Sequence, residues 1–271
     1  MFWQSIPRSL ALLAVTAGML LTGSAAASAA QSPTGVDDFD FTSWDATYEV
    51  SLNDEGRATM HVEETRVAAF PDFDQNRGIV IGYPESYQGA TLNTTILSVR
   101  DENGDEVPYE TEEDDGLLYV LTGNDDYVQG STTYVIEYEM RDVILAASET
   151  GVDEFYWDLL PLNSTQDVDS FHADVIFSDE LAAHLTGNAS CYQGRERSTE
   201  SCELTGENGT FSVTADGLAA GEGVTVAIAL EPGTVTQPLR ASRMLPLTYC
   251  HTHWVAAQPY SRSSGGSRAL R

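Results

Sequence analysis

Gly151-Val152-Asp153-Glu154-Phe155-Tyr156-Trp157-Asp158-Leu159-Leu160-Pro161 is the stretch that decides the fold class. Three aromatic residues stand side by side, two leucines follow, and a proline ends the run. Alternate side chains of a strand point to opposite faces, so Phe155 and Trp157 share one face. The stretch reads as a strand that buries large rings between two β-rich halves.

Working outward, the same two-residue period recurs. Tyr48, Val50 and Leu52 alternate with Glu49 and Ser51; Asn53-Asp54-Glu55-Gly56 turns the chain; Ala58, Met60 and Val62 return. Arg77 to Pro84, Thr91 to Val99, Val107 to Thr111 and Leu117 to Leu121 read as further strands, with Asn103-Gly104 as a hairpin turn and Glu112 to Gly116 as an acidic turn. Tyr134, Ile136, Tyr138 and Met140 form one apolar face. Beyond the aromatic stretch, Phe171 to Phe177, Phe211 to Val213 and Val224 to Leu230 are strands, and Ser178 to Leu185 holds one short helix capped by Ser178 or Asp179. About a dozen short strands without βαβ alternation predict an all-β fold, an antiparallel β-sandwich. It is either one large unit or two small, closely packed halves over 42–144 and 152–231.

The flanks differ from this body. Residues 1–30 carry Arg8, an apolar run from Leu10 to Leu21, and small residues ending in Ala27-Ser28-Ala29-Ala30, the layout of a secretory signal peptide. Residues 31–41 read as a disordered linker, and 42–233 as an extracytoplasmic β domain. All 42 acids lie between Asp37 and Glu231 against seven arginines, and the chain has no lysine. That balance argues against nucleic acid or anionic lipid as a partner. From Pro232 the acids vanish and five arginines appear, so 234–271 is an atypical basic tail, either genuine or translated out of frame. In an exported chain, Cys191 and Cys202 are close enough to staple a loop as a disulfide, and Cys250 is left over.

These pieces, in this order, resemble a known family. They are the hairpin with Glu63-Glu64-Thr65, Arg77-Gly78-Ile79 to Tyr83-Pro84, Gly130-Ser131-Thr132-Thr133-Tyr134-Val135-Ile136-Glu137-Tyr138, Asp153 to Asp158, Gly221 to Val226, and Glu231-Pro232-Gly233-Thr234. The chain resembles the extracytoplasmic domain of the membrane proteins called domain of unknown function 2207, over about residues 42–234. The resemblance implies an outside-facing β domain followed by a membrane-spanning helix. After Gly233 no run of 18 apolar residues exists, so a family-type anchor is absent from this sequence, and the expected location is the cell envelope or the medium.

Candidate sites are sparse. Asp72, Asp74 and Asn76 alternate as oxygen ligands do in calcium loops, but the glycine comes one place late and Tyr83 stands where the loop's glutamate belongs. Asp101, Asn103 and Asp105 repeat the spacing around a hairpin turn. Asp153, Glu154 and Asp158 flank the aromatic rings, where a carbohydrate- or cell-wall-active enzyme would place its acids. No HExxH, GxSxG or phosphate-binding loop occurs. The expectation is therefore a non-enzymatic binding or sensing domain for an envelope ligand, with no catalytic residues and no cofactor beyond weakly indicated calcium.

Overall fold

Two thirteen-residue strands, β1 (Asp40–Leu52) and β2 (Ala58–Phe70), form the long hairpin that the rest of the fold builds on. The computed structural model describes residues 35–238. In chain order the remaining elements are β3 (Val80–Pro84), β4 (Ser86–Tyr87), β5 (Ala90–Thr91), β6 (Thr95–Arg100), β7 (Tyr109–Asp114), β8 (Leu117–Thr122), β9 (Gly130–Arg141) and β10 (Leu145–Ala146). Then come β11 (Asp153–Leu160), β12 (Val168–Phe177), α1 (Asp179–Ala182), β13 (Leu185–Gly194), β14 (Glu200–Ser201), β15 (Glu203–Glu207), β16 (Thr210–Leu218) and β17 (Gly223–Leu230). The fold is all-β.

A seven-stranded sheet, β15-β16-β12-β1-β2-β9-β6, forms one layer. Its inner face carries Trp44, Ala46, Tyr48 and Val50 from β1 and Met60 and Val62 from β2, all buried, while Asp45, Glu49 and Glu63 lie on the solvent face. Two smaller sheets sit on that inner face: β10-β11-β17-β13-β14, and β3-β8-β7. The first meets the large sheet through Phe155 against Phe177, ring centroids 5.8 Å apart; the second through Tyr83 against Tyr138, 4.4 Å apart. Edge-on and tilted ring pairs of this kind add to the area they bury.

The fold decides some expectations and corrects others. Of the two arrangements left open, it has the single core: Val62 and Ile136 share one apolar cluster with Phe155 and Val226. The halves are joined by β1 and β12, which pair in parallel, from Phe41 with Val168 to Val50 with Phe177. A parallel pair needs a long crossover, and every strand from β2 to β11 lies within it. The expected linker over 31–41 ends early, because Phe39 and Phe41 are buried and Phe39 packs on Phe70 at 4.8 Å. At the other end Val235 is buried, so the fold continues past 233. Glu112 to Asp114 belong to β7, and only Asp115-Gly116, both at positive φ, make the turn. Ser178 caps the short helix, accepting from the Leu181 N–H at 3.5 Å. The disulfide joins Cys191 of β13 to Cys202 beside β14. The signal sequence, the tail beyond 238 and Cys250 lie outside the described residues.

Candidate functional site

Where the two smaller sheets meet over the large one, a seam stays open. It holds a cavity of about 330 Å³. Tyr48 from β1, Glu64 and Arg66 from β2, and Tyr138 and Met140 from β9 make its floor. Tyr83, Pro84 and Tyr87 form one wall; Trp157, Leu159 and Pro161 form the other. The Tyr87 and Trp157 rings meet edge-on across it at 5.8 Å. A second hollow of about 360 Å³ continues the seam past Arg66, Gly82 and Leu117 toward Trp44, Val80 and Thr165.

The floor is polar at its centre. Glu64 and Arg66 are two apart on β2, so both side chains point inward with Met60, Val62 and Ala68. Each residue is at most 4 % exposed. Arg66 donates Nε to Glu64 Oε2 at 2.9 Å, and its Nη2 donates to the same oxygen. The Tyr138 hydroxyl donates to Glu64 Oε1 at 2.7 Å, and Tyr83 to Oε2 at 3.4 Å. The guanidinium lies over the Trp44 ring, 3.4 Å from its centroid, a cation–π contact. Tyr48 donates to the Leu159 carbonyl at 2.8 Å and so ties the floor to β11. Burial pushes the Tyr48, Tyr83 and Tyr138 phenols well above their ordinary range, and the Glu64 charge pushes them further. Burial works against the Arg66 charge, but the Glu64 carboxylate outweighs it and the guanidinium is held above its usual value. The indole N–H of Trp44 is a buried donor without a partner among the described residues.

The residues singled out from the sequence scatter. Phe155 and Trp157 are core, 0 % and 7 % exposed. Asp153 is buried: its carboxylate accepts from the Val235 N–H at 3.0 Å and from Gln237 Nε2 at 3.3 Å, which pins the end of the fold. Glu154 and Asp158 lie on the outer side of β11, and Asp158 accepts from the Thr225 hydroxyl at 2.6 Å. Asp74 accepts from Gln129 Nε2 at 2.9 Å, and the Asn76 amide donates to the Val36 carbonyl at 2.6 Å. Asp72 is exposed. Among the described residues no group of three or more His, Cys, Asp or Glu could hold a metal ion. Asp101 accepts from the Asn103 and Asp105 N–H groups, both at 2.9 Å, and serves its turn.

Sequence reading passed over Glu64 and Arg66. The signal was present: both stand in phase with the apolar positions 58, 60, 62, 68 and 70, so extending the β2 alternation puts a charge pair inside.

The profile described as "Predicted membrane protein (DUF2207) N-terminal domain" matches residues 44–230, well over half of the chain. No curated protein is matched. Among solved structures, the chain is similar to an M1 zinc metallopeptidase from Deinococcus radiodurans, with 14% identity, a TM-score of 0.39, and coverage of 71% of this chain and 45% of that one. It is also similar to native leukotriene A4 hydrolase from Saccharomyces cerevisiae, with 11% identity, a TM-score of 0.44, and coverage of 72% and 31%. The chain thus spans less than half the length of these proteins. Among the described residues no helix is long and apolar enough to cross a membrane.

Proposed function

We propose, since this chain belongs to the DUF2207 family of membrane-protein N-terminal domains, that residues 35–238 are a non-catalytic, extracytoplasmic ligand-binding domain. The ligand lies in the seam between the two smaller sheets. The observation that carries this reading is the open cavity of about 330 Å³, walled by Tyr83, Tyr87 and Trp157. Apolar walls with a few fixed polar groups, at a volume within about 300–1,000 Å³, are what small binding sites share. The floor is built to hold its shape, because the hydrogen bonds around Glu64 come from three different strands.

Export rests on the signal-like residues 1–30 and on the Cys191–Cys202 disulfide, which suits an oxidising compartment. The acidic surface, with 42 acids against seven arginines between Asp37 and Glu231, keeps the domain off anionic lipid and nucleic acid and favours uncharged or basic ligands.

The test screens the full chain against arrays of defined peptides and glycans. Leu117→Trp fills the seam at a half-buried position shared by both hollows. His172→Ala changes only the solvent face of the large sheet. The expected result is binding by the parent and by His172→Ala that Leu117→Trp abolishes. Binding indifferent to Leu117→Trp, or none at all, overturns the proposal.

A further inference from the structure

We infer that the seam takes an extended peptide, which adds as a strand to the free edge of β11. This deepens the reading above and rests on it.

The hydrogen-bond parity of the five-stranded sheet carries the inference. Ala229 of β17 and Glu231 just past its end turn their backbones toward the β13 side, since the Ala229 carbonyl accepts from the Thr186 hydroxyl and the Glu231 N–H donates to the carbonyl of His184, the residue before β13. The even residues of β17 therefore face β11, and Phe155 opposite Ile228 and Trp157 opposite Val226 bond with them. Tyr156 and Asp158 must turn their N–H and C=O groups the other way. On that side β10 covers only Asp153 and Glu154. Among the described residues the backbone groups of Tyr156 and Asp158 thus meet no strand, and both residues line the cavity.

The opposite wall repeats the arrangement. The Thr122 N–H donates to the Ile79 carbonyl at 3.0 Å, which sets Ile81 and Tyr83 toward β8 and Val80 and Gly82 away from it. Val80 and Gly82 line the continuation of the seam, and Val80 is 64 % exposed. Two strand edges whose outward donors and acceptors meet no strand among the described residues therefore border one groove. Strand addition uses such edges: main-chain bonds supply affinity and alternate side chains supply selectivity. A sugar would use the rings but leave these backbone groups unanswered.

The peptide's side chains follow from the pleat. Those pointing inward enter the cavity beside Trp157, Tyr83 and Met140 and are apolar. Those pointing outward run beside Glu154, Tyr156 and Asp158 on a strongly acidic chain, so lysine or arginine fits there.

The test titrates the full chain with a fluorescein-labelled octapeptide of alternating valine and lysine, read by anisotropy. Companion peptides replace lysine with glutamate, or N-methylate every second amide in either of the two possible sets. The expected result is saturable binding, weakened by about tenfold or more by glutamate, by at least one N-methylated isomer, and by Leu117→Trp. The inference is overturned if both N-methylated isomers bind like the parent, if no peptide binds at millimolar concentration, or if the chain alone self-associates and peptide does not compete. If a glycan binds and Leu117→Trp removes it while every peptide fails, the seam remains the binding site and only the peptide is lost. If nothing bound is sensitive to Leu117→Trp, both readings fall.

Discussion

β7 and β11 are both strands with an open side, and the chain treats them in opposite ways. β7 borders the three-stranded sheet, with β8 on one side only. All six of its residues are exposed and four are acids: Glu110, Glu112, Glu113 and Asp114. A second strand brought alongside would meet that row of like charge, one of the means by which edges are kept from pairing. β11 has β10 beside its first two residues and then, among the described residues, no further strand on that side. Its open part carries one acid, Asp158, and is walled by Tyr87, Tyr83 and Trp157 over a floor cross-linked through Glu64. At the far side of the same sheet β14 pairs with only Tyr192 and Gln193 of β13, and a disulfide ties that end. An edge with one acid where β7 has four, bordered by aromatic rings, is what the proposed strand addition rests on.

The floor is the most sensitive point. Arg66→Met leaves Glu64 buried and unpaired, and unfolding in urea is expected to show a loss of about 3–5 kcal/mol. Adding Glu64→Leu should recover most of it. A loss below about 1 kcal/mol would mean that the pair is hydrated and the floor is not rigid. The disulfide at the end of the opposite edge is next. Cys191→Ser opens a loop between residues 11 apart and should cost about 3 kcal/mol. A negligible loss would show that the two β13–β14 residue pairs alone hold that end of the sheet.

The floor should also fail first in base. Tyr48, Tyr83 and Tyr138 are held well above their usual value near 10, and Tyr134 is pushed up to about 12. Below pH 10 both folded and unfolded chains keep these protons, so nothing changes. Above it the unfolded chain ionises first, and stability falls as pH rises toward the folded values. Tyrosinate absorbance should therefore rise together with loss of the fold; phenols that ionise while the fold persists would contradict the burial. The smallest effect belongs to β7. Glu110→Val with Glu112→Val should change stability by no more than about 0.5 kcal/mol per site, yet shift sedimentation toward larger species. Unchanged sedimentation would show that charge is not what guards β7.

What the sequence revealed follows the same physics. Long strands with one apolar face, such as β1, β2 and β9, were legible because alternation survives wherever one side is buried. The core role of Phe155 and Trp157 was legible for that reason. β13 was not: Leu185 to Gly194 is small, polar and mostly exposed, with Cys191 its one buried residue. The parallel pairing of β1 with β12 left no local mark, since pairing partners distant in sequence are chosen by the tertiary fold. Glu64 and Arg66 were hidden by their charge, although their phase placed them inside. The free edge of β11 was invisible, because it depends on where β10 stops and not on anything β11 contains.

The most direct test of the account is amide hydrogen exchange at four neighbouring residues of the full chain. Phe155 and Trp157 should exchange slowly, held by β17, while Tyr156 and Asp158 exchange fast and slow down when the valine–lysine peptide is added. Slow exchange at Tyr156 and Asp158 without peptide would mean the edge is already closed, and fast exchange that the peptide leaves unchanged would mean it binds elsewhere; either result contradicts strand addition at β11.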